Sequence, residues 1–191
     1  MNGVALAADC AEESYEIING EVVMRAAASI PHIRIQSYLA RKIGNYLEGK
    51  TCEVFPESKV VFDDKTSFVP DLLVICDPSK VKDTYIEGAP DFIVEVLSLS
   101  TQSRDYGIKK NTYEKYGVKE YWIIDPLARN IIVHRLNEGK YDVVDVYHSF
   151  TEREWGWLTE EERAKQKKKV KPSLWDDLEI DVSEVFQGKQ T

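Results

Sequence analysis

The feature that most constrains this chain is an apolar run with one acid in its middle, PDFIVEVLS at residues 90–98. A run this short and this rich in Val and Ile reads as a strand buried in a sheet. Its alternation places Phe92, Val94 and Val96 on one face and Ile93, Glu95 and Leu97 on the other. A carboxylate inside such a strand is costly unless it is paired, neutralised or bound to a metal. Glu95 is therefore the first residue to explain. Asp71 poses the same problem upstream, in the second apolar run VPDLLVI, where it shares a face with Leu73 and Ile75. If the two strands pair, both carboxylates converge on one side of a sheet.

The segment after Glu95 is patterned too. Ser100, Thr101 and Ser103 supply helix N-cap candidates, and a helix through Tyr116 aligns Asp105, Lys109 and Tyr113 at i, i+4 and i+8 on one face. Gly117 ends it, and EYWIID, NIIVHRL and KYDVVDVY read as three further strands. Upstream, SYEIINGEVVMRA reads as a β-hairpin around Asn19-Gly20. Ser29 caps a helix with Pro31 and His32 in its first turn. Ile35, Leu39, Ile43 and Leu47 form its apolar stripe, and Gly49 stops it. CEVFPESKVVF and SFVPDLLVICDPS each read as one strand, with a turn at Asp63-Asp64 and a polar loop over 79–89. The result is a mixed α/β pattern.

Beyond Tyr147 the composition changes. FTEREWGWLTEEERAKQKKKVK is densely charged, and Thr159 with Glu162 forms a capping-box pattern with acids first and lysines last, as a helix dipole favours. SLWDDLEIDVSEVF then returns to an apolar pattern that can pack back on the core. With no internal repeat or long linker, residues 1–191 read as one domain. Residues 1–13 form a frayed leader and 151–171 a charged helical insertion.

Composition limits the function classes. The 191 residues can bury a substantial core, and no apolar run approaches the roughly 18 residues of a membrane span. The N-terminus lacks the basic start and apolar core of a signal peptide. Cys10, Cys52 and Cys76 match no zinc or redox spacing, so a reduced, cytoplasmic protein is expected. The net charge of -8 argues against strong non-specific binding to nucleic acid, although a local basic face is compatible with it.

Two convergent acids suit a hard divalent cation such as Mg2+ or Mn2+ held through oxygen. Such an ion polarises a phosphoryl oxygen or activates a water, and a neighbouring lysine stabilises developing negative charge. Taken singly, each residue has a plainer reading. Asp71 starts a strand after Pro70. Glu95 pairs with an arginine or lies on an exposed edge. Asp105 and Lys109 form an ordinary surface pair. Tyr113 and Tyr116 are packing residues, and His32 is a first-turn surface residue. The lysines over 165–171 form a solvated helix end.

Taken together and in order, SYEIINGEVV, His32, VPDLLVI, GAPDFIVEVLS, Asp105, Lys109, Tyr113, Gly117-Val118 and EYWIIDP resemble the Uma2 family (DUF820) of restriction-endonuclease-like proteins. These are bacterial members of the PD-(D/E)XK nuclease superfamily. The likeness runs over roughly residues 14–147. It implies a restriction endonuclease-like core with αβββαβ topology and Mg2+-dependent hydrolysis of phosphodiester bonds in DNA. Asp71 and Glu95 match the metal-binding acids, joined by a backbone carbonyl near Val96. The superfamily lysine usually lies two residues after the second acid, where this chain has Leu97. Lys109, on the following helix, matches in its place, with Lys110 as its neighbouring alternative. Leu99 stands where the family commonly has proline. A homodimer is expected, because a two-fold pair of sites serves the cutting of two strands. Two other functions fit the same residues: a binding or regulatory module on a nuclease fold, which the acidic charge favours, and a nuclease acting on RNA, single-stranded or branched DNA.

Overall fold

The computed structural model describes residues 15–187. The expected leader over 1–13 lies outside the described residues, as does Cys10.

The chain opens with the hairpin β1 (Tyr15–Ile18) and β2 (Glu21–Met24), turned at Asn19 and Gly20, both with positive φ. α1 (Ile30–Leu47) follows, and the Ser29 side chain accepts a hydrogen bond from the His32 backbone N–H. Its stripe of Ile35, Leu39, Ile43 and Leu47 is buried. Then come β3 (Glu53–Pro56), β4 (Val60–Asp63), β5 (Thr66–Phe68) and β6 (Leu72–Ile75). A 3-10 turn, Pro78–Lys80, and the short β7 (Ile86–Glu87) lead into β8 (Phe92–Val96).

A continuous helical stretch comes after β8. It consists of α2 (Gln102–Arg104), a π-helical turn (Asp105–Lys109) and α3 (Lys110–Tyr116), closed by Gly117 in the left-handed region. β9 (Glu120–Asp125), β10 (Asn130–Asn137) and β11 (Lys140–His148) complete the main strands. The charged segment forms two short helices, α4 (Glu152–Trp157) and α5 (Glu160–Lys165), each with a full capping box, on Thr151 and on Thr159. β12 (Lys169–Val170), β13 (Ile180–Asp181) and α6 (Val182–Val185) end the described chain.

The main sheet has the order β11-β10-β9-β8-β6-β3. β3, β6 and β8 are antiparallel neighbours, and β9 runs parallel to β8 across the helical connection. In chain order, α1, β3, β6, β8, α3 and β9 reproduce the expected αβββαβ core. A second sheet, β2-β1-β5-β4-β7, lies outside that core. Buried side chains form a cluster on each face of the main sheet. On one face α1 packs on Leu72, Val74, Phe92, Val94 and Trp122, joined by Val170, Leu178, Ile180, Val182 and Val185 from the C-terminal segment. On the other, Leu73, Ile75, Ile93 and Leu97 meet Tyr113, Val118, Tyr121 and Phe68.

Four sequence expectations change; the loop expected over 79–89 carries the short strand β7 of the second sheet. CEVFPESKVVF is two strands, because Pro56 ends β3 and Glu57 turns with φ +44°, sending β4 into the second sheet. SFVPDLLVICDPS also divides. Pro70 has no N–H to offer a ladder, so β5 and β6 separate around it into different sheets and Asp71 sits just ahead of β6. The expectation of reduced cysteines fails as well, since Cys52 and Cys76 form a disulfide. The β3–β6 register pairs Glu53 with Ile75, which places the two cysteines directly across from one another. Their separation of 24 residues gave no such signal.

Candidate active site

The β6–β8 register pairs Leu72 with Val94 and Leu73 with Ile93. One residue further, Asp71 stands across from Glu95. The Val96 backbone N–H donates to Asp71 Oδ2 at 2.7 Å, tying the aspartate to the end of β8. From α1, His32 Nε2 lies 3.1 Å from Asp71 Oδ1, and Gln36 Nε2 donates to the Asp71 carbonyl at 2.8 Å. Arg25, after β2, approaches Asp71 Oδ1 at 3.8 Å. Asp71, Glu95 and Lys109 are all buried.

The helix brings the rest. Asp105, Lys109 and Tyr113 do share one face, and that face is buried. Lys109 Nζ donates to Glu95 Oε1 at 2.9 Å, and the Tyr113 hydroxyl donates to the same oxygen at 2.6 Å. Lys110 points elsewhere, its ammonium 5.7 Å from the centre of the Tyr141 ring. The π-helical turn carries both Asp105 and Lys109. Asp105 Oδ1 is 3.6 Å from Lys109 Nζ.

Two side chains were not given their place by the sequence. His32 is buried against Asp71 instead of lying on the surface. Glu16 on β1 is 2% exposed, and its Oε1 accepts from the Val69 backbone N–H at 3.1 Å and lies 3.0 Å from Lys109 Nζ. YEII gives no signal for this burial, since both alternating phases of the strand carry an isoleucine.

Three carboxylates, from Glu16, Glu95 and Asp105, thus surround one buried ammonium, with Asp71 across from Glu95 and Arg104 3.8 Å from Glu16 at the rim. The electrostatics reflect that imbalance. Burial raises the proton affinity of Glu95; Lys109 opposes the rise, while Asp71, Asp105 and Glu16 add to it. Asp105 is raised by burial as well. Burial alone would lower the Lys109 pKa, but Glu95, Glu16 and Asp105 outweigh it and hold the lysine above its ordinary value. Glu120 is an instructive contrast. It is also fully buried, yet Arg135, the Trp122 indole N–H and the Ser173 backbone N–H all donate to it, which makes it a structural acid.

The carboxylates line a small cleft of about 50 Å3 whose walls include Ala26–Ala28, Val96, Ser98 and Thr101. Three buried polar atoms of this same cleft, His32 Nε2, Arg104 Nη1 and Asp105 Oδ1, meet their charged neighbours Asp71, Glu16 and Lys109 at 3.1–3.8 Å without completing a hydrogen bond. A larger cleft of about 470 Å3 lies by His148, Phe150 and Trp155, but its ionisable residues are exposed or half-buried and carry no comparable imbalance. Among the described residues, no group of three or more His, Cys, Asp and Glu side chains is arranged to hold a metal. The donor set that fits a cation is narrower: the hard oxygens of Asp71 and Glu95. That suits a hard divalent cation that keeps several waters and takes only one or two carboxylates.

Comparison with known proteins places the family and the fold. Residues 5–161 match the model of the Uma2 family, described as "Putative restriction endonuclease". Two proteins of Synechocystis sp. (strain ATCC 27184 / PCC 6803 / Kazusa) are similar. Slr1290 is 27% identical over 137 residues, covering 70% of this chain and 72% of that protein. Sll1609 is 30% identical over 126 residues, covering 63% and 71%. Both are described as uncharacterized. The fold matches the crystal structure of "a putative nuclease belonging to DUF820" from Anabaena variabilis ATCC 29413, with a TM-score of 0.70, 20% identity and coverage of 92% of this chain and 90% of that one. With the family model spanning most of its length, this chain belongs to the Uma2 family of restriction-endonuclease-like proteins.

Proposed function

We propose that the protein is a metal-dependent endonuclease hydrolysing DNA phosphodiester bonds, with Asp71 and Glu95 as the cation-holding acids and Lys109 as the catalytic cation. The observation that carries this reading is a pair of buried carboxylates, Asp71 just ahead of β6 and Glu95 across from it on β8, with the buried Lys109 ammonium 2.9 Å from Glu95. An ion of the Mg2+ or Mn2+ type, when bound, would polarise the scissile phosphate and lower the pKa of a water.

The chain's own groups then have separable tasks. Asp71 is fixed by Val96 and flanked by His32, so its carboxylate is oriented before any ligand arrives. Tyr113 orients Glu95 from the helix side. Lys109, as an ammonium, can donate hydrogen bonds to the attacking water or to a phosphate oxygen and offset the charge that builds in the transition state. Arg25 and Arg104 at the rim of the cleft offer local positive charge to an incoming phosphate within an acidic protein. On duplex DNA, a two-fold dimer would present one site to each strand.

The competing reading, a binding module on the same fold, is motivated by the net charge of -8. Calorimetric titration with Mn2+, with and without duplex DNA, separates the two. The nuclease reading expects cation binding in the wild type and its loss in the folded Asp71→Asn/Glu95→Gln variant. Equal binding by both proteins would refute the assignment of these two acids.

A further inference from the structure

We infer that Glu16 is a positioning residue of this site: from β1 it holds the Lys109 ammonium against Glu95. The inference rests on the assignment of Lys109 above and adds a residue that the assignment does not include.

The geometry singles Glu16 out. It sits on a four-residue strand of the outer hairpin, whose partner strand is largely exposed, yet it is itself 2% exposed. Tyr15 beside it is 44% exposed. A carboxylate turned inward from a surface hairpin costs free energy unless its partners are charged or hydrogen-bonding, and here both are present. Oε1 receives the Val69 N–H at 3.1 Å and lies 3.0 Å from Lys109 Nζ, while Oε2 is 3.8 Å from Arg104 Nη1.

The Lys109 ammonium is consequently held from separate parts of the fold. Glu95 contacts it from the main sheet, Glu16 from the second sheet and Asp105 from its own helical turn. A lysine has four rotatable side-chain bonds and loses much conformational freedom when fixed. Glu95 alone, itself assigned to a cation, cannot hold that ammonium in a second direction. Glu16 can, because the Val69 N–H anchors it independently and Ile17 pairs β1 with Ser67 of β5. The chain that carries Glu16's anchor, Val69, continues through Pro70 directly into Asp71. One short segment thus sets both the cation-holding aspartate and the clamp on the lysine.

A merely structural acid and a positioning acid differ in how they couple to Lys109. Glu16→Gln keeps an oxygen for Val69 and removes only the charge. It should lower the melting temperature of the wild type, but raise it in a Lys109→Met background, where Glu16, Glu95 and Asp105 repel one another with only the more distant Arg104 to offset them. In cleavage assays Glu16→Gln should lose kcat by at least about tenfold, since small misplacements of a catalytic group are costly. KM should stay within about twofold, and Glu16→Asp should restore part of the loss. A change of the same sign in both backgrounds would overturn the inference, as would an unchanged kcat in an active enzyme. If the wild type cleaves no nucleic acid, the nuclease reading fails. The sign of the melting shift in the two backgrounds then still decides whether Glu16 holds Lys109.

Discussion

The carboxyl of Glu95 shows how one oxygen atom concentrates the demands on this site. Lys109 and Tyr113 both donate to Oε1, one charged and one neutral. Their removal should therefore have different sizes. Tyr113→Phe keeps the ring contacts with Phe68 and Tyr121 and deletes one buried hydrogen bond, for a loss of about 1–3 kcal/mol in urea denaturation. Lys109→Met strands buried carboxylates without their cation and should cost about 3–5 kcal/mol. Equal losses would mean that the charge of Lys109 is compensated from elsewhere. At this scale, the sequence revealed the acids because charge inside an apolar strand is conspicuous. It could not choose between Lys109 and Lys110, since adjacent helical positions differ by about 100° in direction and only the docked helix fixes which one faces inward. Glu16 and His32 were not legible because their burial comes from the packing of a hairpin and a helix end against the strand ends, which no local pattern encodes.

At the scale of elements, the strands and helices of the core follow their apolar periodicity, whereas the strand ends follow proline and left-handed turns. Pro70 moves the chain from one sheet to the other and so places Asp71 at the end of β6. The π-helical turn carrying Asp105 and Lys109 had no sequence signature, and π-turns of this kind are often found at functional sites. β10 offers a pH test remote from the site. His134 is buried against Tyr121 and Tyr141 at a register shift in the β10–β11 pairing. Burial lowers its pKa, and Lys110 lowers it further. A histidine with a depressed folded pKa favours the native state fully above the ordinary histidine value. That contribution is lost as pH falls below it, because the unfolded chain takes up the proton first. Unfolding free energy should fall from about pH 7.5 to about pH 5.5, a window around the ordinary histidine value, with a shallower slope in His134→Gln. An identical slope in that variant would show that His134 is not the group responsible.

For the molecule as a whole, the main sheet is closed on both faces, and the C-terminal segment supplies part of one face. Leu178, Ile180, Val182 and Val185 join the core formed by α1. Ile180 is fully buried, so Ile180→Ala should destabilise the protein by about 2–5 kcal/mol in chemical denaturation. A loss below about 0.5 kcal/mol, the size of an ordinary surface substitution, would mean that this segment is not part of the folding unit. The return of the chain was visible in the apolar pattern after residue 172, but its docking on α1 was not. That docking includes hydrogen bonds from Tyr38 to Glu184 and from Tyr46 to Asp177. The disulfide between Cys52 and Cys76 was likewise hidden until the register of β3 and β6 was known. No helix among the described residues is long and apolar enough to cross a membrane. We propose that this fold brings Asp71, Glu95 and Lys109 together to hydrolyse DNA. The most direct test is the nicking of supercoiled plasmid by wild type, Asp71→Asn and Glu95→Gln in Mg2+, Mn2+ and chelator, with folding checked by circular dichroism. We predict cation-dependent nicking by the wild type and none above background by either folded variant. Nicking that survives both substitutions, or that persists in chelator, would contradict the account.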